Sequence, residues 1–316
     1  MKSRSHMNTN WTIRGSRQFE AAPFLLFGIV NATPDSFYDG GEHYSETGGK
    51  AVKHALALRD QGAAVLDIGG ESTRPGALPV PLAEECSRVL PVIEGLRRAL
   101  AEEASSFVDS RATEAGGNCA MRKASVSLTA ISVDTYKAET AARALECGAD
   151  IVNDISACAF DPALIDVLVQ YQPGYVLMHG KGAPETMQNA PRYEDVTAEV
   201  EAFFEEKLNM LVRAGLREER IMLDPGIGFG KNLEHNLRLL GDLPRFAKFG
   251  RPLLMALSNK SMFGHLLGQS VSERGCATAV ATALAFNAGV WAHRVHDARA
   301  AYDALSLAQA IRAHAS

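Results

Sequence analysis

Eight apolar, strand-like runs recur along the chain, and each breaks off in polar or ionisable residues. They are FLLFGIVNATPDS (24–36), AVLDIGGEST (64–73), ISVDT (131–135), DIVNDIS (150–156), GYVLMHG (174–180), IMLDPGIGFGK (221–231), PLLMALSNKS (252–261) and VWAHRVHD (290–297). The segments between them carry apolar residues at helical spacing, as in 50–61, 138–146 and 196–214, and close on Gly62, Cys147-Gly148 and Gly215. Strand, helix, glycine and next strand in this order imply right-handed βαβ units and a parallel sheet. Eight such units favour closure into one (β/α)8 TIM barrel over an open doubly wound sheet. The C-terminal ends of all eight strands then meet on one face, where barrel sites form.

A barrel of this kind accounts for 316 residues as a single domain, and 47% hydrophobic residues supply its core. The net charge of −5 argues against general nucleic-acid binding, which needs a basic surface. No apolar run reaches the roughly 18–20 residues that span a bilayer. Cysteines 86, 119, 147, 158 and 276 show neither a CxxC pair nor metal-ligand spacing. An odd number of that kind reads as reduced thiols in a cytoplasmic protein. The opening MKSRSHM resembles an expression-vector remnant, so residues 1–6 are set aside and 7–316 is read as the domain. Residues 101–127 are small and polar with weak periodicity, and read as a surface insertion between the second helix and the third strand. Ser36–Gly49 and Glu71–Pro79 follow the first two strands and read as mobile lids over the site.

Asp134, Asn153 and Asp224 end three separate strands. A carboxylate at the end of an apolar strand is costly without a partner or ligand. Two carboxylates and an amide can line the edge of a flat, amino-substituted heterocycle; the plainer alternative is that each caps a helix or closes a turn. Arg294 and His296 share a strand face, and Ser258 and Lys260 stand at the same spacing beyond the seventh strand. Together they make a cationic cluster where such barrels often hold phosphate. The competing reading of Arg294 is an ion pair with Asp297 or Asp67, and that of His296 a satisfied strand-end histidine. Asn31 or Asp35 offers an oxygen to Mg²⁺, and Thr73-Arg74 adds a hydroxyl and a cation on the second loop. DPGIGFGK (224–231) lacks Walker spacing and reads as a tight strand-to-helix loop. No GxSxG, HExxH or activated cysteine appears. The set suits displacement of a diphosphate by an incoming nucleophile, with catalysis by positioning and electrostatics.

These residues resemble the dihydropteroate synthase family from about Leu25 to Ile311. The resemblance rests on GIVNATPDSFYDGG (28–41), VLDIGGESTRPG (65–76), ISVDTYKAE (131–139), IVNDIS (151–156), LDPGIGFGK (223–231), SNKS (258–261) and HRVHD (293–297). It implies condensation of p-aminobenzoate with 6-hydroxymethyl-7,8-dihydropterin diphosphate. By motif position, Asp134, Asn153, Asp224 and Lys260 would hold the pterin ring, with Met178 packing near it and Phe229 in the substrate-binding set. Asn31 would contact Mg²⁺; Thr73, Arg294 and His296 would bind the diphosphate. Phe37, Arg74, Pro75 and Ser258 would shape the p-aminobenzoate side. Asn31, Asp35, Arg74, Lys260 and Arg294 would carry the catalysis, and the chain would be a homodimer packed through its later, Ala-rich helices. The family usually reads SRKS where this chain has Ser258-Asn259-Lys260-Ser261, which removes an Arg from the p-aminobenzoate region. The alternatives are a methyltetrahydrofolate-dependent methyltransferase and a non-catalytic pterin-binding paralogue.

Overall fold

The computed structural model describes residues 10–19, 22–33, 44–72, 77–110, 129–182, 187 and 191–315. A short antiparallel hairpin comes first, β1 (Trp11–Thr12) with β2 (Gln18–Phe19). Eight parallel strands follow: β3 (Leu25–Asn31), β4 (Val65–Gly69), β5 (Ala130–Asp134), β6 (Ile151–Asp154), β7 (Gly174–Met178), β8 (Ile221–Asp224), β9 (Leu254–Met255) and β10 (Ala292–Val295). They pair in the order β8-β7-β6-β5-β4-β3-β10-β9, and a parallel bridge between Leu223 and Leu253 joins the two ends. The helices among the described residues are α1 (Tyr44–Asp60), α2 (Leu82–Ser110), α3 (Ala138–Glu146), α4 (Leu164–Tyr171), α5 (Val196–Ala214), α6 (Leu233–Gly241), α7 (Ser261–Leu267), α8 (Gly275–Asn287) and α9 (Ala298–Ala313). The (β/α)8 barrel expected from the eight runs is the architecture found.

Strand parity divides the core in two. Phe27, Val65, Ala130, Ile151, Val176, Met222, Leu254 and Ala292 form a buried inner cluster with Trp11, Ile13 and Phe19 of the hairpin. The intervening residues, such as Leu66, Val133, Val152, Tyr175 and Leu223, join the larger cluster that includes helix residues. Side chains alternate along a strand. One step of two residues beyond the inner cluster therefore puts Asp67, Ser132, Asn153, Met178, Asp224 and Arg294 on the barrel-interior side, toward the C-terminal face.

The hairpin closes the opposite end. Trp11 is fully buried, its Nε1–H donates to the Arg220 carbonyl at 2.8 Å, and Arg220 Nη1 donates to the Ile13 carbonyl at 2.8 Å. Gly174 at the start of β7 makes room for it; a Cβ there would lie 2.7 Å from Ile13 and 2.9 Å from Trp11. The eight-run pattern begins at residue 24 and gives no sign of this plug.

Two expected boundaries shift. Ten residues of the expected insertion, 101–110, continue α2 as helix, and Arg59 holds Glu103 at 2.6 Å. Ala, Glu and Ser at these positions allow helix, and α2 already packs Leu96 and Leu100 into the core, so the helix propagates. Residues 111–127 lie outside the described residues. Residues 44–49 of the first expected lid are helix, because α1 starts at Tyr44 and runs through Gly48-Gly49, while 36–43 of that lid and 73–76 of the second lie outside the described residues. Glycine costs a helix only about 1 kcal/mol against alanine, which the packed remainder of α1 outweighs.

Candidate active site

The ends of β5, β6 and β8 bring Asp134, Asn153 and Asp224 to one face, all buried. Arg294 of β10 lies across them. Its Nε donates to Asp67 Oδ2 at 2.6 Å and its Nη2 to Asp134 Oδ2 at 2.6 Å. Asn153 Nδ2 faces the same two carboxylates, at 3.3 Å from Asp67 Oδ2 and 3.4 Å from Asp134 Oδ1. One guanidinium and one amide thus bind two strand-end acids into a single network. The ion pair with Asp67, held open as the alternative reading of Arg294, is present here. The other candidate, Asp297, instead caps α9 through the Ala300 N–H.

Charge is strained by burial at this face. Burial raises the Asp134 carboxyl, the Arg294 guanidinium works against that rise, and Asp67 adds to it. Burial opposes the Arg294 charge, but Asp134 and Asp67 outweigh it and hold the guanidinium firmly ionised. Burial also raises Asp224, against the 2.7 Å hydrogen bond its Oδ1 accepts from Gly226 N–H and against Lys260. Lys260 is lowered to about 8, again chiefly by burial, with Asp224 opposing. Its ammonium stands 4.3 Å from the centroid of the Phe229 ring, a cation–π contact. Met178, the last residue of β7, is buried beside this set, its β8 register partner being Asp224.

Ser258 and His296 come together as their spacing suggested: His296 Nδ1 and Ser258 Oγ are 2.9 Å apart, and His296 N–H reaches the same oxygen at 3.3 Å. Lys260 and Arg294 sit over the carboxylates, while His296 pairs with a hydroxyl. Asn31 ends β3, half-buried, with Gly69 as its register partner on β4. Asp35, Phe37, Thr73, Arg74 and Pro75 lie outside the described residues.

Asp67 is the site residue that reading the strand ends misses. It is fully buried and joined to Arg294 and Asn153, while its Oδ1 has no hydrogen-bond partner among the described residues. It sits inside its apolar run rather than at the end; parity with Val65 is the signal that marks it.

The sequence model of the pterin binding enzyme family matches residues 27–126 and 120–296. Dihydropteroate synthase of Escherichia coli strain K12 is 40% identical over 285 residues, 90% of each chain. The dihydropteroate synthase of Xanthomonas albilineans solved with 4-aminobenzoic acid superposes with a TM-score of 0.81 at 38% identity, covering 96% of this chain and all of that one. The same enzyme in complex with 7,8-dihydropteroate gives a TM-score of 0.78 at 35% identity over the same shares.

Proposed function

The chain belongs to the pterin-binding enzymes and within them to the dihydropteroate synthases, and from that premise we propose how its own residues divide the reaction. It is a transferase that joins p-aminobenzoate to 6-hydroxymethyl-7,8-dihydropterin diphosphate, giving 7,8-dihydropteroate and pyrophosphate. The observation that carries the assignment of residues is the convergence of buried Asp134, Asn153 and Asp224 beside the half-buried cations Arg294 and Lys260.

Asp224 and Asn153 accept from and donate to the amino-substituted edge of the pterin, and Asp134 takes a ring N–H beside them. Met178 and Phe229 pack on the ring, with Lys260 above Phe229. Arg294 has five N–H donors; Asp67 and Asp134 engage its Nε and Nη2, which leaves donors for diphosphate oxygens. Thr73 and His296 add to that end, while Lys260 also serves the pterin ring and Ser258 the p-aminobenzoate side. Asp35, Phe37, Arg74 and Pro75 would serve the p-aminobenzoate side. The carbon–oxygen bond to the diphosphate is largely broken before the aromatic amine attacks and gives up a proton to solvent, so these cations act by stabilising the departing charge.

Mg²⁺ fits this arrangement in one way. No group of three His, Cys, Asp or Glu able to hold a metal occurs among the described residues. A hard cation here would take one oxygen from Asn31 and the rest from the substrate's diphosphate and water, neutralising the leaving group. A homodimer through α8 and α9 and a cytoplasmic location complete the reading; no helix among the described residues is long and apolar enough to cross a membrane.

Asp224→Ala removes a charged acceptor from the ring edge, worth about 1.5–3 kcal/mol. Calorimetric titration with the pterin substrate is expected to show that loss, with p-aminobenzoate binding to the preformed complex little altered. Wild-type pterin affinity in the variant would remove Asp224 from the site.

A further inference from the structure

Lys231 ends the loop from β8 to α6 and is only 2% exposed, yet it makes no ion pair among the described residues. Its amine faces four neutral acceptors; burial lowers its pKa to about 7, and the nearby Asp224 carboxylate opposes that fall. Nζ donates to the carbonyls of Gly226 at 2.9 Å and Phe229 at 3.0 Å in its own loop. It lies 2.9 Å from His179 Nδ1 and 3.3 Å from the His179 carbonyl, just past the end of β7. Burial, with the Lys231 charge beside it, keeps the His179 imidazole neutral, so Nδ1 serves as an acceptor.

The two loops meet backbone to backbone. A Cβ on Gly226, at φ +69°, would fall 1.9 Å from the His179 carbonyl oxygen. One on Gly230, at φ +63°, would fall 2.3 Å from that of Lys181. Contact this close turns carbonyls inward where water is excluded, and they need a donor. Lys231 supplies three N–H groups from a single atom. The loop it fastens also carries the Gly226 N–H that holds Asp224 Oδ1, and the Phe229 ring under Lys260.

We propose that Lys231 is a positioning residue for the pterin site, its ammonium fastening the Gly226–Phe229 backbone to the end of β7 and so fixing Asp224 and Phe229 against the ring. It touches no substrate itself. The proposal rests on the reading of Asp224 and Phe229 as pterin ligands, and its test separates the two.

Lys231→Met keeps the length and loses every donor. In the purified full chain, assayed with both substrates and Mg²⁺, the pterin diphosphate KM is expected to rise about tenfold or more, the scale of a lost charge-assisted hydrogen bond. The p-aminobenzoate KM is expected to stay at its wild-type value, with cooperative melting retained. A general packing defect would move both KM values and broaden the melt; that result, or an unchanged pterin KM, overturns the proposal. Should Lys231→Met fail to fold, His179→Leu decides, since it removes one acceptor from the opposing loop. A smaller rise confined to the pterin KM supports the proposal, and a wild-type pterin KM in that folded variant overturns it. Asp224→Ala is measured alongside: if it too keeps pterin affinity, the site reading fails, whereas loss there with no effect at Lys231 defeats this inference alone.

Discussion

Asn259 holds φ +56°, the left-handed region where Asn is tolerated far better than a long side chain. Its N–H reaches Thr278 Oγ1 at 3.2 Å and its carbonyl accepts from Arg274 Nη1 at 2.9 Å, so the backbone is held there by two neighbours. It stands between Ser258 and Lys260, two residues assigned to the substrates. Asn259→Arg is therefore expected to cost about 1 kcal/mol in thermal unfolding, from strain in that conformation. It is also expected to change the p-aminobenzoate KM more than the pterin one. An unchanged p-aminobenzoate KM would place residue 259 outside that part of the site. At this scale the sequence shows Asp134, Asn153 and Asp224 plainly, because an acid or amide closing an apolar strand needs a ligand or partner. Asp67 hides within its run, and Lys231 hides behind glycines whose close approach to β7 is a fact of three dimensions.

Among elements, strand parity does most to place the site. Four inward polar residues follow an inward apolar one by two positions, Val65 to Asp67, Ile151 to Asn153, Met222 to Asp224 and Ala292 to Arg294, and Asp134 follows Ala130 by four. That rule is local, and so the eight strands were legible. The β1–β2 hairpin was not, since Trp11 and Ile13 find their partners at Gly174 and Arg220, far along the chain. The end of α2 is hidden in the sequence because its polar composition reads as loop, whereas packing upstream carries the helix on. Helices α8 and α9 pose a different question. Val280 and Leu284, and Leu307 and Ile311, stand one turn apart and are 54%, 64%, 64% and 63% exposed. These exposed apolar pairs on adjacent helices are where the proposed dimer would pack. Sedimentation velocity at micromolar concentration is expected to give a dimer, and Leu284→Glu with Leu307→Glu a folded monomer. A wild-type species near 33.9 kDa would contradict the dimer.

The whole molecule is a barrel sealed at one end and chemically equipped at the other. The Trp11 hairpin fills the N-terminal end, while ionisable groups gather at the C-terminal one despite a net charge of −5. In the proposed reading an anionic diphosphate would be held by local cations, Arg294 and Lys260, rather than by the field of the protein. With no protein nucleophile assigned, the proposed reaction is a substitution in which the bond to the diphosphate is largely broken before the aromatic amine attacks, and turnover to product needs both substrates. The measurement that tests this most directly is pyrophosphate release from the pterin diphosphate with Mg²⁺, with and without p-aminobenzoate. The account predicts release that depends on p-aminobenzoate and matches 7,8-dihydropteroate formed mole for mole. Equal release without p-aminobenzoate, or none with both substrates present, would contradict it.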